Sequence, residues 1–273
     1  MRNLLALLAA LTASSVAHAD TFVVSAAGST FSPGSITIQV GDTVQWTYDP
    51  AAYHTVTEGS NGSQTGNEAF DSPLYSGNPT FSVTFDEAFL AAYPRPDNRY
   101  DYFCVPHFPA GMVGQIYVDV PAPELFCAGD GFDGTDCPCG NNTAFLDGEG
   151  CRNSTGVGAK LNALGTLSFA ADDLVLRVSQ GRPYQPAVFV QGATTISLPF
   201  KDGKLCAGSP TERLEVGFLT SHGTLMTTQS IVTNGNVPGP GATRYYQAWY
   251  RDPVVSVCGT GSNFTSGLII EWY

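Results

Sequence analysis

Histidine and methionine are scarce in this chain, with four His and three Met among 273 residues. Any metal centre that needs a cluster of histidines is therefore out of reach. Basic residues are few as well, 12 Lys and Arg against 24 Asp and Glu, for a net charge of −12. Such a chain repels phosphate backbones, which excludes nucleic acid as a natural partner. Charged residues make up only 13% of the chain, and no long polar run suggests wholesale disorder. Beyond residue 19 no apolar run is long enough to span a bilayer. What the chain does hold is 30 Gly and 18 Pro, the punctuation of β-rich structure with many turns. Its length suits two ordinary domains.

Residues 1–19 read as an export signal. Arg2 supplies the positive end, Leu4 to Ala13 the apolar run, and Ala17-His18-Ala19 a small-residue cleavage site. Cleavage before Asp20 predicts an exported chain, periplasmic, cell-surface or extracellular, in an oxidising compartment where spare cysteines pair. The cysteines then divide unevenly. Cys104 stands alone in the first half, while Cys127, Cys137, Cys139, Cys151, Cys206 and Cys258 all follow residue 125. That split predicts a special role for the first and three disulfides for the other six. Cys137 and Cys139, separated only by Pro138, are too close to bridge each other, which leaves 12 of the 15 possible pairings.

Pro121-Ala122-Pro123-Glu124 opens a stiff linker, assigned to residues 121–126, between a domain over 20–120 and another over 127–273. The first carries 11 acids, no lysine, and only Arg95 and Arg99. Period-2 alternation predicts its strands in Thr21–Val24, Ser35–Val40, Thr43–Tyr48, Phe81–Phe85, Tyr100–Phe103 and Gln115–Val118. One short helix is expected around Asp86 to Tyr93, ended by Pro94. Strands without helices between them imply antiparallel pairing in two stacked sheets.

Chemistry enters at Cys104-Val105-Pro106-His107-Phe108-Pro109-Ala110-Gly111-Met112, a C-x2-H-x4-M run after an aromatic strand. Thiolate and imidazole are strong ligands for copper, and a thioether is a weak, soft one. His54 is the only other histidine between residues 20 and 120. A His2Cys set with a distant Met is the pattern of a mononuclear electron-transfer copper site. A trinuclear or three-histidine copper site cannot be built, because only His54, His107 and His222 remain after residue 19. A dinuclear site with bridging cysteines fails too, since this domain has one cysteine. A Cys–His nucleophilic pair is disfavoured, because such pairs meet from distant segments and no orienting third group is evident.

Here the sequence resembles the plastocyanin-like cupredoxins. The resemblance covers residues 20–120 and rests on Gly41-Asp42-Thr43-Val44-Gln45-Trp46 leading to His54-Thr55-Val56-Thr57, and on Tyr100 through His107 to Met112-Val113-Gly114. It implies an eight-stranded Greek-key sandwich holding one type-1 copper through His54, Cys104, His107 and Met112. Tyr48 and Asp49 stand where relatives often carry Asn, and residues 58–80 and 86–99 are expanded. The function implied is one-electron transfer without substrate turnover, so the chain is not expected to be an enzyme. A redox partner protein would dock near Phe108, Pro109 and Ala110, and the acid excess favours a positively charged one. The alternatives are copper storage or delivery without redox exchange, and surface binding with the copper domain as scaffold.

Residues 127–273 read as a second, disulfide-stapled β-sandwich, jelly-roll-like, so the whole chain is all-β. Strands are expected at Asp173–Val178, Pro186–Val190, Arg213–Phe218, Thr243–Trp249 and Leu268–Trp272. This half resembles a cysteine-stapled domain recurrent on exported bacterial proteins without a settled function. Asp130, Asp133 and Asp136 have the look of a calcium loop, although an ordinary polar turn fits their spacing better. Tyr245, Tyr246, Trp249 and Tyr250 suggest an aromatic sugar platform, although alternation sends about half of them to the core. His222 reads as a surface-turn histidine, and zinc at the cysteine cluster is disfavoured by the oxidising compartment.

Overall fold

The computed structural model describes residues 19–50, 52–253 and 255–273. The export segment read at residues 1–19 lies, apart from Ala19, outside the described residues. No helix among the described residues is long and apolar enough to cross a membrane.

The described residues of the first half form nine strands: β1 (Thr21–Ala27), β2 (Thr30–Ser32), β3 (Ser35–Gln39), β4 (Thr43–Tyr48), β5 (His54–Glu58), β6 (Asp71–Leu74), β7 (Thr80–Thr84), β8 (Arg99–Phe103) and β9 (Val113–Asp119). They form a four-stranded sheet, β2-β1-β4-β7, and a five-stranded sheet, β3-β9-β8-β5-β6. One expectation fails here. β1 runs parallel to β4, and β3 parallel to β9, although the other pairs are antiparallel. The chain crosses to the facing sheet at β3 before β4 returns to lie beside β1. The excursion through the opposite sheet does what a crossover helix does elsewhere, so the absence of helices did not forbid parallel neighbours.

Period-2 burial explains why these segments pair. Val44 and Trp46 point inward from β4 and Tyr100 and Tyr102 from β8, all of them fully or almost fully buried. Trp46 lies against Phe70, Phe81 and Tyr102, with ring centroids 5.3–5.6 Å apart. The expected helix is α1 (Glu87–Ala92), its first turn capped by Asp86 accepting from Phe89 N at 2.8 Å. Behind it, Arg95 makes a two-pronged contact with Glu58, at 2.8 and 2.9 Å, which ties the insertion of residues 86–99 to the end of β5.

The second half contains β10 (Glu124–Phe126), β11 (Lys160–Leu164), β12 (Val175–Ser179), β13 (Pro186–Phe200), β14 (Gly203–Phe218), β15 (Leu225–Met226), β16 (Thr243–Arg251), β17 (Ser262–Phe264) and β18 (Gly267–Glu271). Their arrangement is an uneven sandwich: a six-stranded sheet, β10-β18-β16-β13-β14 with β17 on β16, beside a three-stranded sheet, β11-β12-β15. Leu161, Leu176, Phe189, Tyr246 and Ile270 share one core between them. Glu124–Phe126, within the stretch assigned to the linker, pairs with β18 as an edge strand.

Three disulfides staple this half: Cys127–Cys206, Cys137–Cys151 and Cys139–Cys258. Cys104 is the free cysteine, and it is buried. The aspartates with the look of a calcium loop sit in a polar turn, the reading that fitted their spacing better, with Asp130 accepting from Phe132 N and Asp133 from Thr135 N. Both oxygens of Asp133 accept from Lys204 Nζ, at 2.7 and 2.8 Å, and Asp136 accepts from Asn142. A near-buried ammonium already neutralises the central carboxylate, so that loop offers no open cation site. Of the four aromatics of β16, Tyr246 and Tyr250 are fully buried on the core face, the half that alternation sends inward, and Tyr245 and Trp249 are half-buried.

Candidate metal centre

The site is built on two segments brought together by pairing between β5 and β8. Thr57 and Glu58 of β5 lie opposite Phe103 and Tyr102 of β8. That register sets His54, at the start of β5, beside Cys104, the residue that leaves β8. From Cys104 the chain makes a short 3-10 turn over Val105–Ala110 and reverses at Gly111, whose φ of 84° is the left-handed conformation that glycine adopts without strain. Four backbone hydrogen bonds close the loop, one of them from Gly111 N to Phe108 O at 2.8 Å. His107 N donates to Cys104 O at 3.1 Å, Met112 N to His107 O at 3.2 Å, and Cys104 N to Met112 O at 3.1 Å. The loop that carries three of the four expected residues is thus fixed by its own backbone.

Inside it, Cys104 Sγ stands 3.3 Å from His107 Nδ1 and 3.7 Å from His54 Nδ1. One donor atom from each of the three residues lies within 4.8 Å of the others, the only such group of His, Cys, Asp and Glu found among the described residues. The spacing fits one ion. Nitrogen and sulfur donors held at about 2.0 and 2.3 Å from a shared metal, at angles between tetrahedral and trigonal, stand about 3.5–3.7 Å apart. Thiolate with two imidazoles is also the donor set that copper takes. His54, Cys104 and Met112 are buried, and His107 is half-exposed. Burial pushes the His54 pKa below its ordinary value, and His107 adds to the effect against a smaller opposing pull from Asp49. A neutral imidazole is the form that ligates metal.

Sequence reasoning missed Thr55. Its backbone N–H points at Cys104 Sγ from 3.4 Å, and its Oγ1 accepts from Val105 N at 2.8 Å. One residue therefore both caps the sulfur and ties the loop to β5, although nothing marks a hydroxyl beside a histidine as special in one sequence. Phe108, expected on the open docking face, is half-buried. It packs edge-on to Phe103 at 5.5 Å and covers Gly62, where an added Cβ would stand 2.2 Å from its ring. Val105, Pro106, Pro109, Ala110 and Gly111 are the exposed residues of the loop.

Residues 18–119 match the family described as copper binding proteins, plastocyanin/azurin family. The chain is 32% identical over 92 residues to the chloroplastic plastocyanin of Tetradesmus obliquus, a match spanning 32% of this chain and 57% of that protein's length. It is 31% identical over 120 residues to the plastocyanin of a Synechococcus strain, covering 39% of this chain and 79% of that one. Among solved structures, amicyanin from Paracoccus versutus is 23% identical, with a TM-score of 0.27 and coverage of 38% of this chain and 84% of that one.

Proposed function

Because the chain belongs to the plastocyanin/azurin family of copper-binding proteins, we propose that it is an exported, mononuclear type-1 copper electron carrier, with His54, Cys104, His107 and Met112 as ligands. The observation that carries this reading is the cluster of Cys104 Sγ with the Nδ1 atoms of His54 and His107, centred on the one cysteine left out of the disulfides. When bound, copper supplies the one-electron Cu(II)/Cu(I) couple. The chain's own part is to hold the donors still. His54 comes from a sheet strand, and the loop bearing Cys104, His107 and Met112 is closed by backbone bonds and by Thr55. Little of this frame needs to move when the charge of the site changes by one, which is what fast exchange requires. Met112 lies buried at the end of the loop, suited to a weak thioether contact. The half-exposed His107 and the surface of Pro109 and Ala110 offer a route and a landing place for a redox partner.

Export fits the three disulfides, which persist in oxidising compartments. We further propose that residues 20–120 and 124–273 are separate folding units, joined through Pro121 to Pro123. The test is repeated redox cycling of the copper-loaded chain, with ascorbate as reductant and ferricyanide as oxidant, followed by stopped flow. A carrier gives up and takes back one electron per chain, with copper retained through many cycles. Loss of copper on reduction, or exchange slower than minutes, would replace the carrier with a storage or delivery protein.

A further inference from the structure

An asparagine followed by glycine is open to attack by the next main-chain nitrogen on its own side-chain amide, because glycine puts no side chain in the way. The pair occurs twice in the chain, at Asn61-Gly62 and Asn234-Gly235. The two sit in opposite settings. At the end of α2 (Ile231–Asn234), Asn234 Nδ2 donates to Leu214 O at 3.0 Å and the buried Gly235 donates from its N to Ile231 O at 2.9 Å. Both reacting groups are held there. Asn61 is exposed in a bend between β5 and β6, and among the described residues neither its Nδ2 nor Gly62 N donates to any group. Its Oδ1 accepts from Ser63 N at 3.1 Å, which draws electrons from the amide carbon that the nitrogen would attack.

The free pair lies where a change is felt. Gly62 sits under the ring of Phe108, 2.2 Å from where a Cβ would stand, and Phe108 follows His107 and packs on Phe103 at 5.5 Å. Gly62 also holds a φ of 76°, a left-handed conformation that disfavours any side chain. The cover of the ligand loop therefore requires the very residue that leaves Asn61 open to attack.

We propose that Asn61 is a self-modification site whose reaction ages the cover of the ligand loop. Gly62 N bonds to Asn61 Cγ, the Cγ–Nδ2 bond breaks, and ammonia leaves with the proton that Gly62 N gives up. Water then opens the resulting imide at either carbonyl. Opening at Cγ leaves aspartate. Opening at the main-chain carbonyl leaves isoaspartate, whose chain runs through the former side chain and is longer by one methylene. Water is the only co-reactant and no electron is exchanged, so the copper-free chain reacts as well. Either product adds a negative charge, and the extra methylene drives Gly62 against Phe108. Because the attack is intramolecular, positioning governs its rate, and the held pair at Asn234 must first open locally.

The test is storage of the full-length chain at mildly alkaline pH, copper-free and Cu(I)-loaded, folded and in urea, with peptide mapping at intervals. Cleavage after Glu58 and Glu68 releases residues 59–68, which carry Asn61 and, for comparison, Asn67. In the folded chain Asn61 should convert at least about ten-fold faster than Asn234, with isoaspartate the larger product. In urea the two sites should convert at similar rates, since only the fold protects Asn234. The aged, isotope-labelled chain should show displaced amide signals at Phe103 and Phe108, by more than Asn61→Asp shows, because that variant adds the charge without the methylene. Asn61→Gln should stay unmodified at that position. Equal rates at Asn61 and Asn234 in the folded chain, conversion of Asn67 ahead of Asn61, or an aged chain whose Phe103 and Phe108 signals match the fresh one would each overturn the proposal.

Discussion

Thr55→Val removes one oxygen and keeps the shape of the side chain, which isolates the bond that ties the ligand loop to β5. Thr55 Oγ1 accepts from Val105 N at 2.8 Å and lies 3.1 Å from Thr57 Oγ1, whose single proton goes to Asp71. The net worth of a protein hydrogen bond is about 0.5–1.5 kcal/mol, and Val105 is exposed enough for water to replace the lost acceptor in part. The stability of the copper-free first unit should therefore fall by about 1 kcal/mol, or about 0.5–1 M in urea midpoint. The metal should feel more. Groups that orient ligands without touching the ion typically contribute about 10–100-fold in affinity. Because the loop keeps its backbone bonds, the lower end, about ten-fold, is expected. Competition against a Cu(I) chelator of known affinity measures the second effect, and loss of the Val56 and Ile116 amide signals in urea measures the first. Thr55→Ser should restore both within about two-fold. If Thr55→Val binds Cu(I) as tightly as the native chain, the backbone alone fixes the loop and the role given to Thr55 is wrong.

The three disulfides should differ in effect. Loop-closure entropy gives about 3 kcal/mol for Cys137–Cys151, spanning 14 residues, and about 4.5–5 kcal/mol for Cys127–Cys206 and Cys139–Cys258, spanning 79 and 119. Paired Cys→Ser variants, unfolded in urea and followed by far-UV circular dichroism, should lose least when Cys137 and Cys151 are replaced. The reverse order would show that strain or residual structure governs instead. Gly114→Ala places a Cβ within 2.2 Å of the Tyr102 ring, and should cost about 1–3 kcal/mol of first-unit stability by the same urea measurement. Acid should loosen the second unit through Asp133. Burial pushes its pKa up, but hydrogen bonds from Lys204, Thr135 and Ser197 outweigh that and hold it below the ordinary 3.8. Its stabilisation is full above 3.8 and is lost as pH falls through the lower folded value. Asp133→Asn should flatten the drop in urea midpoint between about pH 5 and 3; an unchanged slope would assign the drop to other carboxylates.

How much of this could be read in advance depended on whether the signal was local. The C-x2-H-x4-M run is confined to nine residues, and its ligand types are rare in this chain, so its chemistry could be read directly. Strands β4 and β8 alternate cleanly because one face of each is buried. β5 and β6 escaped notice for opposite reasons: four of the five residues in β5 are buried, which erases alternation, and β6 contains Pro73 at a sheet edge. The parallel neighbours, the disulfide pairing and the bond from Thr55 to Val105 all join residues far apart in the chain. Spacing carries no record of such contacts. The ion pair of Asp133 with Lys204, 71 residues away, is another such contact.

The central claim is a copper–thiolate centre at Cys104, and visible absorption tests it most directly. The mature chain is loaded with one equivalent of Cu(II) and its spectrum is taken before and after ascorbate, beside Cys104→Ser treated in the same way. The account predicts an intense blue band that is bleached by reduction and absent from the variant. A pale or colourless adduct, or a band that survives in Cys104→Ser, would contradict it.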